Sequence, residues 1–171
     1  ELTHLGYGTM NGTDGKPFKT RAGGVLKLED MIAMGVQKAR ERIEEANIGT
    51  SLGDEEKSDI ALKVAIAAIK FADLQNSFSA DYVFDLDRMT SFEGKTGPYL
   101  LYQAVRIKSL LDKAGYKAGG NIVVSDADRS LFLMVAELPE VIENAARNYM
   151  PHILCDHAYK LAQEFSSFYG N

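Results

Sequence analysis

Lys16 and Lys19 stand three apart in a stretch, residues 12–21, that also holds Gly12, Gly15, Thr20 and Arg21. Ammonium groups, a guanidinium, a hydroxyl and backbone N–H groups opened by glycine are what a polyphosphate needs around it. The stretch is not a Walker A loop. Lys16 is followed by Pro17 instead of Ser or Thr, and Met10 occupies the place of the required upstream glycine. It is not a dinucleotide fingerprint either, because Asn11 stands where a third glycine would follow Gly6 and Gly8. Spacing alone leaves a second option open, since a basic glycine loop is commonly a solvated turn.

Further along, Tyr99, Tyr102, Arg106 and Lys113 fall on one helical stripe. Leu100, Ala104, Ile107, Leu111 and Ala114 fall on another, turned away from the first. One face buries while the other offers ring faces and cations, a combination suited to unstacked RNA bases beside a phosphate backbone. The residues equally allow a partly buried tyrosine pair with a surface arginine. Near the C-terminus, His152, Cys155 and His157 have metal-ligand chemistry, but the two histidines are five apart and diverge on a helix, so no metal site is expected. Leu154, Ala158, Leu161, Phe165 and Phe168 make a core stripe there instead. Cys155 is the single cysteine, which excludes an internal disulfide.

The formal net charge of -5 argues against a nucleic-acid partner. Its distribution argues the other way. Residues 16–28 hold Lys16, Lys19, Arg21 and Lys27 and no acid, and residues 100–118 hold Arg106, Lys108, Lys113 and Lys117 against Asp112. Acid collects at Asp54, Glu55 and Glu56 and at Asp81, Asp85 and Asp87. An RNA would meet two local basic surfaces on an acidic protein, although both could also be plain solvated faces. Hydrophobic content of 46% with 25% charged residues fits a soluble globular protein. The longest apolar run, residues 60–71, is interrupted by Lys63 and Lys70 and is too short to cross a bilayer, which predicts a buried helix and no membrane association. The opening Glu1-Leu2-Thr3-His4 has no signal-peptide pattern, and a cytoplasmic location is expected.

The elements that must position these residues follow from periodicity and punctuation. Residues 2–10 lean towards strand, 11–15 are dense turn chemistry, and 25–27 suit a short strand. A helix is expected over 28–47. A second begins at Asp54, where acid complements the helix dipole, with Ile60, Val64, Ala67, Phe71 and Leu74 as its apolar stripe. Residues 75–96 read as irregular, with 82–84 extended and a short helix near 86–90. Pro98 suits the start of a helix to about residue 114, and 115–120 is a glycine-rich linker and a natural boundary. Three more helices are expected, over 126–138, 139–148 and 151–169, with Pro139 and Pro151 at first helical positions.

Lys16-Pro17-Phe18-Lys19-Thr20 occupies the five positions of the class I aminoacyl-tRNA synthetase signature Lys-Met-Ser-Lys-Ser. Both lysines match, Thr20 replaces the last serine, and Pro17 and Phe18 depart. The longer string 15–21, preceded by 4–10, resembles the arginyl branch of that family. Residues 71–74, 81–89 and 91–100 are similar to the same branch almost residue for residue. Phe78 stands where arginine is common there, and Leu86 where an aromatic is common. Phe71, Leu74, Phe84 and Met89 are expected in the core. Residues 151–162 and 165–169 resemble a helix of DALR-type anticodon-binding domains.

This resemblance implies a mainly α fold, a helical bundle of the anticodon-binding type with a short β-containing N-terminal remnant of a Rossmann-type catalytic domain. It implies three regions: 1–30 as the end of the catalytic domain with the lysine loop, 31–96 as a helical connecting region, and 97–171 as part of the anticodon-binding domain. The parent activity implied is arginine–tRNA ligase, with ATP (accompanied by magnesium), arginine and tRNA as ligands, no tightly bound cofactor, and a monomeric state. Lys16 and Lys19 inherit the catalytic role, and Thr20 and Arg21 join them as ATP-binding residues. Tyr99, Tyr102, Arg106 and Tyr169 inherit tRNA contact, with the loop 91–96 near the same arm. The family's His-Ile-Gly-His signature and amino-acid pocket are expected upstream of Glu1, which makes the chain a fragment that is inactive alone. Two alternatives stand beside this: a non-catalytic tRNA-binding helical module, and another class I synthetase of the same subgroup.

Overall fold

The computed structural model describes residues 2–17, 27–117, 119, 125–126 and 128–170. In chain order the elements are β1 (Met10–Asn11), α1 (Leu28–Glu45), α2 (Asp54–Leu74), β2 (Tyr82–Val83), α3 (Leu86–Met89), α4 (Gly97–Lys113), α5 (Arg129–Arg147) and α6 (Pro151–Gly170). The chain divides into two compact units, Glu1–Tyr99 and Leu100–Asn171. The division therefore falls inside α4 and not in the linker 115–120.

In the first unit α1 and α2 pack through small residues. On α1 the buried residues are Met31, Gly35, Ala39 and Ile43, a stripe of steps of four. A Cβ on Gly35 would stand 3.3 Å from the Cβ of Ala65, so the two backbones run close. On α2 the buried residues are Ala61, Val64, Ala65, Ala68, Phe71 and Ala72. The expected stripe is thus corrected: Val64 and Phe71 are buried, Ile60 and Ala67 are half-buried, and Leu74 is 39% exposed. Close approach selects the alanine face, since larger side chains would hold the helices apart. Leu74 leaves the expected core, while Phe71, Phe84 and Met89 are in it.

The end of α1 and the start of α2 are specified locally. Glu56 reaches back to accept from the Gly53 N–H at 3.1 Å, half of a capping box. Asn47, at φ 51°, ends α1: its N–H donates to the Glu44 carbonyl and that of Ile48 to the Ile43 carbonyl, each at 3.0 Å. This is the Schellman pattern, with Asn in the left-handed position. Gly115 ends α4 in the same way, and Tyr149, at φ 57°, ends α5.

The sheet is two residues wide on each strand and parallel, Met10 opposite Tyr82 and Asn11 opposite Val83. Residues 2–7 are exposed and form no strand, so the strand expected over 2–10 shrinks to its last residue plus Asn11. The strand expected at 25–27 lies, but for Lys27, outside the described residues.

In the second unit α5 packs on α6. The break expected at Pro139 is absent: α5 runs through it. The proline lacks the N–H that would reach the Val135 carbonyl, but both residues are exposed, so water can satisfy that carbonyl. The buried positions are small or polar: Ala145 on α5, His157 and Ala162 on α6, and Gln103 on α4. The apolar stripe expected on α6 is corrected, with Leu154 and Phe168 exposed and Ala158, Leu161 and Phe165 half-buried. So is that of α4, where Leu100 and Ile107 are half-buried and Ala104 and Leu111 exposed. Among the described residues no helix packs broadly across it. No described helix is long and apolar enough to cross a membrane.

Candidate functional site

The lysine loop leaves β1 as a closed hairpin. The Gly12 N–H donates to the Lys16 carbonyl at 2.9 Å, the Gly15 N–H to the Gly12 carbonyl at 2.9 Å, and Asn11 bridges Pro17. Gly15 sits at φ 74°, a backbone state that side chains rarely adopt, and the Lys16 N–H donates to the Asp14 carboxylate at 3.0 Å. Lys16 is exposed and lies on the arm that returns from this turn towards Asn11. Lys19, Thr20 and Arg21 lie outside the described residues.

The strand entering this hairpin is fastened to residues 78–84. The Gly8 N–H donates to the Phe78 carbonyl at 2.7 Å, the Tyr82 N–H to the Thr9 carbonyl at 3.0 Å, and the Phe84 N–H to the Asn11 carbonyl at 2.8 Å. Tyr82 is itself fixed to α2, its hydroxyl donating to Asp73 at 3.0 Å. Burial, and then that hydrogen bond, push the phenol far above its ordinary pKa.

Past β2, Asp85 caps α3 by accepting from the Arg88 N–H at 3.1 Å. Asp87 ties α3 to α1 through Lys38 at 2.7 Å and Arg42 at 3.4 Å. The loop 91–96 then closes on itself. The Thr96 hydroxyl donates to the Ser91 carbonyl at 2.6 Å and accepts from the Tyr99 N–H at 3.1 Å, which caps α4. Gly97 is required here, since a Cβ would lie 2.1 Å from the Ala67 carbonyl oxygen. An open cleft of about 680 Å³ beside this loop is lined by Arg42, Asp87, Arg88, Phe92 and Lys95.

Tyr99 is half-buried in the first unit. In the second unit, Tyr102 is 49% and Tyr169 50% exposed. The Arg106 guanidinium lies 4.9 Å from the Tyr169 ring centroid, a cation–π contact, and that ring stacks on Phe165 at 6.1 Å. Arg106 and Tyr169, 63 positions apart by their numbers, are thus brought together. Among the described residues no group of three or more His, Cys, Asp or Glu could hold a metal ion.

Sequence reasoning gave Asp81 and Thr9 no role of their own and took in Thr96 only as part of the loop 91–96. Thr96 was legible, as a hydroxyl residue just ahead of a Gly-Pro helix start. The partnership of Thr9 with Asp81, 72 positions away, left no local signal.

Residues 1–86 match the family described as tRNA synthetases class I (R), catalytic domain, and residues 100–171 match the DALR anticodon binding domain. The arginine–tRNA ligase of Hyphomonas neptunium is 54% identical over 99% of this chain, and that of Maricaulis maris 51% identical over 99%. The chain spans about 29% of the length of each. The arginyl-tRNA synthetase of Thermus thermophilus superposes with a TM-score of 0.85 at 28% identity, covering 98% of this chain and 27% of that one. That of Plasmodium falciparum, at 24% identity and a TM-score of 0.78, shares the fold over 98% of this chain and 28% of its own. A lysine hairpin set in the segment that matches the catalytic domain, followed by helices that match the DALR domain, places this chain in the arginyl branch of the class I tRNA synthetase family.

Proposed function

We propose that this chain is part of an arginine–tRNA ligase, supplying the ATP-phosphate loop and part of the tRNA-binding surface. The observation that carries this reading is chain-wide likeness, 54% identity to an arginine–tRNA ligase over 99% of the chain. Residues 1–30 are the end of the catalytic domain, 31–96 a connecting region, and 97–171 part of the DALR-type domain. ATP enters with magnesium as substrate. The arginine carboxylate attacks the α-phosphorus, the bond to the bridging oxygen breaks, and pyrophosphate leaves from arginyl-adenylate. A terminal ribose hydroxyl of tRNA then takes the acyl group and AMP departs. Lys16 and Lys19 neutralise charge that grows on the leaving pyrophosphate, and Thr20 and Arg21 serve as further ATP-binding residues. A hairpin closed before substrate arrives spends little energy reorganising, which makes its charge effective. Tyr102 offers a ring face to an unstacked base, and Arg106 and Tyr169 form a combined cation and ring surface beside the RNA backbone. Tyr99 acts from the start of the same helix. The enzyme works as a cytoplasmic monomer.

The test is ATP–pyrophosphate exchange in the complete ligase. Lys16→Ala or Lys19→Ala slows exchange by about 10²–10³, with tRNA affinity nearly unchanged. Unchanged exchange in both single variants and in the double variant rejects the loop assignment. The competing reading, a tRNA-binding helical module without catalysis, is separated by a His-Ile-Gly-His-like motif in the upstream reading frame, which only a ligase needs.

A further inference from the structure

The hairpin that carries Lys16 is only as well placed as the strand it grows from. That strand meets residues 78–84 at an unusually small separation: a Cβ on Gly8 would lie 2.3 Å from the Ala80 carbonyl oxygen. At the next residue one carboxylate oxygen of Asp81 accepts twice, from the Thr9 N–H at 2.6 Å and from the Thr9 hydroxyl at 3.0 Å. The Thr9 hydroxyl has one proton, and the carboxylate is the stronger acceptor for it. The Asn11 side-chain amide, 3.0 Å from that hydroxyl, completes the group when its nitrogen faces Thr9. Both bonds hold the Asp81 carboxyl below its ordinary pKa, so the acceptor is charged at neutral pH. Because the hairpin closes back on Asn11, any slip of residues 9–11 along residues 81–83 carries Lys16 with it.

We infer that Asp81 is a positioning residue for the lysine loop, its double acceptance from Thr9 setting where Lys16 stands relative to the body formed by α2, β2 and α3. The inference rests on the reading that this loop serves ATP. Asp81 touches no reacting atom in that reading and acts through Thr9. Two backbone ladder bonds give the strand its direction. The carboxylate adds a charge-assisted contact at one register, which a slipped strand would lose.

The test uses the complete ligase carrying these residues, with exchange measured against ATP, tRNA affinity by titration, and melting temperature for each variant. Asp81→Ala lowers kcat/KM for ATP about ten- to hundredfold, as a displacement of about 1 Å does, and leaves tRNA affinity and melting temperature near wild type. Asp81→Asn keeps an acceptor oxygen and recovers most of the loss. Thr9→Ser stays near wild type, and Thr9→Val, which removes the hydroxyl alone, falls in between. In a Lys16→Ala, Lys19→Ala background Asp81→Ala costs little more, because Lys16, the group it positions, is gone. Wild-type exchange in Asp81→Ala alongside slowed exchange in the lysine variants overturns the inference and leaves the loop assignment standing. A loss of the same size in the lysine-free background also overturns it, since Asp81 would then act elsewhere. Unchanged exchange in the lysine variants removes the loop assignment itself. If Asp81→Ala melts early, the Asn, Ser and Val variants carry the comparison, and a failure of their order overturns the inference.

Discussion

Arg106 stacks over Tyr169, and that contact shapes what its removal does. In the complete ligase, Tyr102→Ala weakens tRNA binding by about tenfold, the scale of one base stacked on a ring. Arg106→Ala weakens it too and flattens the dependence on salt by about one unit of slope, the signature of one phosphate contact. Because Arg106 and Tyr169 form one surface, their losses are less than additive in the double variant. Titrations of tRNA at several salt concentrations check all three. Equal affinities and slopes would return these residues to plain packing. A different pair contributes to the response to pH. Lys38 donates to Asp87 at 2.7 Å. Its hydrogen bond and charge lower the Asp87 pKa below 3.8, and Asp87 raises the Lys38 pKa above 10.5. The stabilisation from Asp87 is therefore complete above pH 3.8 and lost as pH falls through the lower folded value. That from Lys38 is complete below pH 10.5 and lost as pH rises through the higher folded value. Melting curves of wild type and Asp87→Asn should run parallel between those limits and converge outside them.

At the scale of elements, the start of α4 and the middle of α5 make opposite demands on the chain. Gly97 lies against the Ala67 backbone with no room for a methyl group. Gly97→Ala forces a backbone shift and should destabilise by about 1–3 kcal/mol. Thr96→Ala removes the hydroxyl that joins Ser91 to Tyr99 and should cost about 0.5–2 kcal/mol. Pro139 sits inside α5 and withholds one helical hydrogen bond. Pro139→Ala restores it and should raise the melting temperature, with helix content unchanged by circular dichroism. A fall in helix content would show that α5 depends on the proline. Thermal melts of the three variants give the signs directly.

At the scale of the whole molecule, the 171 residues contain no His-Ile-Gly-His string. Expressed alone they should show no arginine-dependent pyrophosphate exchange, and measurable exchange by the purified chain would contradict the proposed division of labour. The two compact units meet the same physical problem differently. The first buries its alanine-rich helix face. In the second, the buried residues of α5 and α6 are Ala145, His157 and Ala162, while Leu111, Phe132, Val135 and Ile142 stay exposed.

The amino-acid sequence by itself determined the punctuation of this protein. Asn47 and Gly115 tolerate the left-handed backbone that ends a helix, and acid at Asp54 to Glu56 suits a helix start. The lysine spacing and the order of the helices up to α4 were legible for the same reason, since each is written in consecutive residues. Tertiary structure decided which face of each helix is buried. Periodicity marks every apolar face of α2 alike, and only the close approach of Gly35 and Ala39 on α1 selects the alanines over Ile60 and Leu74. On α4 it buried Gln103 and left Leu111 in solvent, because burial depends on what packs opposite and a stripe cannot name its partner. Pro139 is the same lesson on the backbone: a proline marks a break in the sequence pattern, yet α5 carries it inside the helix. The meetings of Thr9 with Asp81 and of Arg106 with Tyr169 required the folded chain, since contacts across 72 and 63 positions follow from strand register and helix packing and from nothing local.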